Sequence, residues 1–367
     1  MKKTGWTAVA GIGVFSAGFY LVTALLLRRW LGAATALPDP PFEPVTFFRP
    51  LKSGDPGLLR NLEVFLSAIE PEDQVIFCAS GENEFRLCEK LASDRPALEI
   101  ISLRAIEGVH RNPKVNKLAR MEDYATRTRW IVLDSDTLAD RPFLQAFRSE
   151  WQRHQADAFS APYRFQAGHS HPSRLDALGT ALGLWPGVAL LRSTGRLDFL
   201  LGACMGVKAS ALRKLGGWKI LGEALADDHE LGLLIKRAGG TVGIGGTVLT
   251  LQAPELTWIE WILHQHRVSV TFRLCNPSGS LGIPLTHGVG LSFLLALFRP
   301  RSPSRWLLHL SLLLVRHLSA GSLPDRKSSL SDLWLVSLCE PLFWALSWLP
   351  LPIRWGGKWI RPEKFET

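Results

Sequence analysis

A doubly wound α/β domain, tethered to a membrane by apolar segments at both ends of the chain, is the fold class this sequence predicts. Three observations carry it. Gly5–Leu27 runs 23 residues without a charge. After position 44, short apolar runs alternate with helical patterns over about ninety residues. Beyond residue 280 three further apolar segments follow.

At about 1.5 Å per residue, Gly5–Leu27 is long enough to cross a hydrocarbon core of roughly 30 Å. A cleaved signal peptide is the competing reading, with Ala34-Thr35-Ala36 as its cleavage site. Its apolar region would be too long, and Arg28-Arg29-Trp30 stands in the way, so a retained anchor is expected over residues 1–31. Two basic residues on each side leave its orientation open. Residues 32–43 form a Pro-rich linker.

The alternation begins at the apolar run Val45–Phe48. Asp55-Pro56-Gly57 offers an N-cap with Pro at the first helical position, and Leu58, Leu59, Leu62, Phe65, Leu66 and Ile69 follow at helical spacing. Gln74–Ala79 reads as a buried strand, Glu84–Leu91 as a helix, Leu98–Leu103 as a strand, Val115–Ala125 as a helix and Trp130–Leu133 as a fourth strand. In such sheets ligands bind beyond the carboxyl ends of the strands.

That rule draws attention to Asp134-Ser135-Asp136, directly after Trp130–Leu133. Two carboxylates so spaced can approach one cation that bridges to a diphosphate; a solvated turn is the ordinary alternative. Upstream, Asn112-Pro113-Lys114-Val115-Asn116 opens a helix, either as plain capping or with a Lys and an Asn aimed at a nucleotide. Ala226-Asp227-Asp228 precedes another helix. Acids in a first turn are electrostatically favourable without any function, yet adjacent carboxylates raise a pKa in the way a general base needs. Gly239–Gly246 is a Gly-rich turn with a short strand, without phosphate-loop spacing.

The 367 residues carry 42 basic and 33 acidic side chains, a net charge of +9. Residues 1–31 hold four basic and no acidic ones, 281–367 hold ten and five, and 32–280 hold 28 of each. The excess therefore flanks the apolar segments, which points to an anionic membrane surface and away from nucleic acid. With 47% hydrophobic residues and 14 Trp, disorder is excluded. Five scattered cysteines without CxxC spacing give neither a zinc site nor a disulfide framework, and suit a cytoplasmic middle domain.

Of the C-terminal segments, Leu281–Phe298 and Leu333–Ile353 are long enough to span, while Leu307–Ala320 is short enough to be interfacial or re-entrant. Two or three passes are open. Glu340 is costly in lipid and is expected to face protein or the headgroup region. Residues 254–280 read as an amphipathic segment in which Trp258, Trp261 and Ile262 either lie at the interface or pack on the sheet.

Phe48-Arg-Pro-Leu-Lys-Ser-Gly-Asp-Pro-Gly-Leu-Leu-Arg-Asn-Leu62, the Asn112–Leu118 run, Asp134–Asp136, Ala226-Asp227-Asp228 and the closing Ile353-Arg-Trp-Gly-Gly-Lys-Trp359 appear in that order. As an ordered set they resemble the ceramide glucosyltransferase family (glycosyltransferase family 21, in the family 2 superfamily), which includes bacterial relatives that glycosylate hopanoids. The resemblance implies a GT-A (Rossmann-like) catalytic domain over residues 44–253, with residues 281–367 as a membrane-associated region and basic tail. It implies inverting transfer from a nucleotide sugar, UDP-glucose or UDP-GlcNAc, to a hydroxyl of a membrane lipid. The enzyme would be a multi-pass protein of the inner (plasma) membrane with its catalytic domain cytoplasmic, and would use Mg²⁺ or Mn²⁺. By position, Lys114, Asn116, Asp134 and Arg267 would bind the donor, Asp136 the metal, and Asp228 would be the general base. A processive polysaccharide synthase and a decayed lipid-binding relative are the rival readings. The sequence departs from the family twice: Ala79-Ser80-Gly81-Glu82 stands where an Asp follows the second strand, and [QR]xxRW becomes His264-Gln265-His266-Arg267-Val268.

Overall fold

The computed structural model describes residues 3–31, 43–55, 57–106, 108–166, 168–322 and 329–362. The linker 32–43 apart from Glu43, the Ala34–Ala36 site, Pro56 and the last five residues lie outside them. In chain order the elements are α1 (Lys3–Leu31), β1 (Thr46–Leu51), α2 (Leu58–Leu66), β2 (Gln74–Ala79), α3 (Glu82–Ser93), β3 (Glu99–Arg104), α4 (Pro113–Glu122), β4 (Arg129–Leu133), β5 (Thr137–Leu138), α5 (Arg141–His154), β6 (Ala158–Ser160) and β7 (Tyr163–Gln166). Then come α6 (His171–Ser193), β8 (Cys204–Lys208), α7 (Ala209–Leu215), α8 (Asp227–Arg237), β9 (Val242–Ile244), β10 (Leu249–Gln252), α9 (Trp258–Cys275), α10 (Pro277–Gly282), α11 (Gly288–Leu297), α12 (Pro303–Ala320), α13 (Leu330–Ser347), β11 (Ile353–Trp355) and β12 (Lys358–Ile360). They divide into two compact units, one of β1–β10 with α2–α5, α7 and α8, the other of α1, α6 and everything from α9 onward.

In the α/β unit a seven-stranded sheet has the order β3-β2-β1-β4-β8-β6-β9. β1 lies parallel to both β2 and β4, so the carboxyl ends of these three strands share an edge. The parallel run of β3, β2, β1 and β4 ends where β8 enters antiparallel to β4, with Leu133 opposite Cys204. A small second sheet, β5-β10-β7, completes the unit. Strands buried on both faces read as continuous apolar runs, which is why β1, β2 and β4 were visible in the sequence. Phe47 packs with Phe65, Phe77 and Phe147 on one face. Phe48 packs with Trp130, Trp218 and Leu231 on the other.

The expected cap on α2 is absent: its N-cap is Gly57, at φ 65° in the left-handed region that glycine tolerates, with no side-chain capping bond. Asp55 is engaged elsewhere, as described below.

In the helical unit, α1 is the only helix among the described residues long and apolar enough to cross a membrane alone, over Thr7–Leu31. Leu281–Phe298 is not one straight helix. α10 and α11 flank a 3₁₀ turn at Ile283–Thr286, and the pair is bent by 53°. Leu333–Ile353 also ends early, because α13 stops at Ser347 and Ile353 opens the β11–β12 hairpin. α12 presents Leu307, Leu310, Leu314 and Leu318 outward while burying Arg316. That guanidinium meets Glu340 of α13 at 2.7 and 2.5 Å and Ser337 at 2.8 Å, so Glu340 does face protein. A bidentate, hydrogen-bonded pair of this kind is how an apolar bundle carries two opposite charges.

α9 separates the two readings of its aromatic residues. Trp261 is 4% exposed and packs edge-on against Phe343 of α13, so it belongs to the core of the helical unit. Trp258, Ile259 and Ile262 are 48%, 71% and 46% exposed. Trp261→Ala should therefore cost about 3 kcal/mol of stability. Trp258→Ala should leave the melting temperature nearly unchanged. Thermal denaturation of the two variants checks both; equal stability loss would contradict the division.

Candidate active site

The site forms where β4 ends. The Asp134 N–H donates to Ala203 O at 3.1 Å, carrying the β4–β8 pairing one residue past Leu133. The following turn is braced from the first motif of the domain. The Ser135 hydroxyl donates to the Asp55 carboxylate, and Asn61 Nδ2 donates to the Ser135 carbonyl at 3.2 Å. Arg49 Nη1 donates to Thr137 Oγ1 at 2.7 Å, and that hydroxyl donates to Asp134 O at 2.6 Å. Arg49, Asp55 and Asn61 thus hold the acidic turn, a role the sequence did not reveal.

α4 supplies the cation. Asn112 caps it, its side chain accepting from the Lys114 and Val115 N–H groups at 2.9 and 3.2 Å. Lys114 Nζ then lies 2.6 Å from Asp134 Oδ1, 3.0 Å from Gly202 O and 3.8 Å from Asp227 Oδ2. Burial works against the Lys114 charge, but Asp134 and Asp227 outweigh it and hold the ammonium protonated beyond its ordinary range. Asn116 does not join this cluster. Its Oδ1 accepts from the His110 N–H at 2.7 Å and its Nδ2 donates to His110 O at 3.0 Å, which closes the turn ahead of Lys114.

α8 brings the second pair of acids, Asp227 and Asp228. Gly232 lets the helix approach the 198–199 backbone, since a Cβ there would sit 2.5 Å from Phe199 Cα. Gly202 does the same for Asp228, whose Oδ2 would be 2.9 Å from a Cβ at that position. Asp228 Oδ1 accepts from the His229 N–H at 2.8 Å. Burial, reinforced by neighbouring Asp227, raises the Asp228 carboxyl to about 6. Asp227 is tied to Asn112 Nδ2 at 3.3 Å, which links the starts of α4 and α8.

Two carboxylate oxygens of the cluster are buried without a hydrogen-bond partner: Asp227 Oδ2, which has Lys114 Nζ at 3.8 Å, and Oδ1 of Asp136. Burial, then Asp134 and Asp55, raise its carboxyl to about 7. Arg49 is fully buried beside Asp136 and Asp134; burial lowers its pKa to about 10, and those two carboxylates favour its charged form. Tyr163, on β7, faces Asp228, Asp136 and Asp134 and is raised chiefly by burial. Among the described residues no group of three or more His, Cys, Asp or Glu is arranged to hold a metal ion by itself. The orphaned Asp136 oxygen in a mostly acidic surrounding nonetheless fits one cation that draws its remaining ligands from a bound anion.

Arg267 belongs to the helical unit. It lies on α9 with its guanidinium facing Asp176 of α6, the carboxylate that also takes His264 and Gln265. In the departure at residues 79–82, Glu82 opens α3 and pairs with Arg104 and Arg86.

A parallel-rich sheet with acidic and lysine side chains gathered beyond β4 is the architecture of GT-A glycosyltransferases. The solved structure of the mannosyltransferase PcManGT from Pyrobaculum calidifontis, in complex with GDP-Man and Mn²⁺, shares this fold with a TM-score of 0.53 over 92% of this chain and 97% of that one, at 14% identity. Residues 9–364 match the sequence profile described as Glycosyl transferase family 21, and the chain belongs to that family. Its sequence is also similar to that of a ceramide glucosyltransferase. Ceramide glucosyltransferase 1 of Caenorhabditis elegans is 29% identical over 210 residues, a match spanning 52% of this chain but only 42% of the relative.

Proposed function

We propose that this glycosyltransferase transfers a hexose from a UDP-sugar, with inversion and in the presence of Mg²⁺ or Mn²⁺, to a hydroxyl of a membrane lipid at the cytoplasmic face. The observation that carries this reading is the cluster at the end of β4: Lys114 bridging Asp134 and Asp227 beside a half-buried Asp228. Lys114 and Asp134 would hold the nucleotide end of the donor, and Asn116 would act by setting the turn that presents Lys114. Arg267 would meet the diphosphate. Asp136 would hold the cation; when bound, it neutralises charge building on the departing diphosphate. Asp228 takes the proton of the lipid hydroxyl as that oxygen attacks the anomeric carbon, and a single displacement with one base inverts the centre.

Membrane placement rests on α1 and on the outward leucines of α12, with the Arg316–Glu340 pair turned inward. We read α1 and the bent α10–α11 pair as membrane-embedded, and the α/β unit as cytoplasmic. A lipid acceptor that enters sideways keeps its chains out of water throughout.

Two experiments address this reading. Purified protein is offered a panel of nucleotide sugars with total membrane lipid, and the lipid extract is weighed by mass spectrometry. A new hexosyl- or N-acetylhexosaminyl-lipid is expected; sugar polymer or free sugar alone would contradict the reading. The second is pH. Asp228 acts as base only when ionised, so kcat should rise as pH increases through about 6 and fall away below it. A flat profile from pH 5 to 8 would count against Asp228.

A further inference from the structure

An arginine is seldom buried without a carboxylate against it. Among the described residues, Arg316 at 4% exposed follows that rule, holding Glu340 through two nitrogens. Arg49, on β1 in the α/β unit, is 0% exposed and does not. Its Nη1 donates to a neutral hydroxyl, Thr137 Oγ1, at 2.7 Å, while Nε and Nη2 have no hydrogen-bond partner. The guanidinium carbon lies 5.0 Å from the centre of the Phe65 ring. Asp136 and then Asp134 are the carboxylates that favour its charge, acting across space and not through a hydrogen bond. Asp134 Oδ1 is committed to Lys114 at 2.6 Å, whereas Asp136 Oδ1 is buried without a partner. Through Thr137, which donates to Asp134 O at 2.6 Å, the guanidinium is tied to the acidic turn itself.

We propose that Arg49 is a built-in counter-charge that sets the order in which this site fills. The inference rests on the reading of Asp136 as the residue that holds the cation. A charge enclosed in protein is screened far less than one in water, so Arg49 acts on the site without touching what binds there. It repels a divalent ion and attracts a diphosphate. A bare ion is therefore held weakly, and the nucleotide is admitted ahead of its cation or together with it. Without Arg49 the surplus of carboxylates would favour the opposite order, with the ion resident and the diphosphate repelled until it arrived. Arg49 is thus a positioning residue that works through charge, with no contact to donor or acceptor.

The test uses full-length protein in phosphatidylcholine nanodiscs, titrated with Mn²⁺ alone by electron paramagnetic resonance and, separately, with UDP in the presence of chelator. Arg49→Gln removes the charge but keeps an amide that can donate to Thr137; Arg49→Met removes both. Both neutral variants should bind bare Mn²⁺ about tenfold more tightly than wild type, and metal-free UDP about tenfold more weakly. Arg49→Lys, which keeps the charge, should stay within about threefold of wild type for both. Opposite changes in the two affinities are what a lost charge produces, whereas a damaged turn weakens both. The two neutral side chains differ in shape and hydrogen bonding, so a fold failure in one leaves the other to decide. If a folded neutral variant binds Mn²⁺ and UDP both more weakly, or if Arg49→Lys behaves like Arg49→Gln, Arg49 only braces the turn. The inference then fails while metal-dependent transfer stands. If Asp136→Ala protein with UDP binds Mn²⁺ as tightly as wild type does, the cation reading itself falls and takes this inference with it.

Discussion

Asp228→Asn protein should turn over at least about 10²-fold more slowly than wild type while its affinity for UDP changes little. The side chain keeps its shape and can still accept from the His229 N–H, so the start of α8 should remain in place. What it loses is the ability to take a proton, which Asp227 cannot replace because its carboxylate is committed to Lys114 and Asn112. Single-turnover rates with saturating donor separate the chemical step from binding. Near-normal rates, or a fall in UDP affinity equal to the fall in rate, would remove Asp228 from the role of base.

The second large effect concerns the cation. Chelation should abolish transfer, and either Mg²⁺ or Mn²⁺ should restore it; Asp136→Ala protein should be inactive and rescued by neither. The basis is the unpartnered Asp136 oxygen and the surplus of carboxylates around it, against which Arg49 and Lys114 are the nearby cations. A site with one such ligand binds a bare ion weakly, so Mn²⁺ binding followed by electron paramagnetic resonance should tighten markedly when UDP is present. Full activity after exhaustive chelation would contradict this assignment.

What the sequence disclosed and what it hid follow from the range of the interactions. β1, β2 and β4 are continuous apolar runs, and Asp134-Ser135-Asp136 follows the last of them directly, so strand, edge and acidic turn were all legible from neighbours in the chain. Asp228 and Lys114 were legible as helix-opening residues. The partners that fix them were not. Asp55 looked like a cap on α2 because capping is a local pattern, but its carboxylate serves Ser135, eighty residues away. Asn116, spaced like a ligand beside Lys114, closes a local turn on His110. Arg49 could be seen inside an apolar motif, yet its bond to Thr137 spans 88 positions. The antiparallel entry of β8 has no signature in its own five residues; only pairing with β4 defines it.

Toward the C-terminus, hydropathy alone overran the structure. Leu281–Phe298 contains Pro284 and ends its first helix at Gly282, so composition suitable for one span is folded as a bent pair. Pro350 and Pro352 follow α13, where a helix cannot continue, and the chain turns into a hairpin carrying Arg354, Lys358 and Trp359.

The anomeric configuration of the lipid product tests the central claim most directly. With a UDP-α-sugar, wild-type protein and total membrane lipid, the proton spectrum of the isolated glycolipid should show the β anomer, formed by a single displacement with Asp228 as base. An α-linked glycolipid would require a different mechanism from the one this site supports, and would contradict the account.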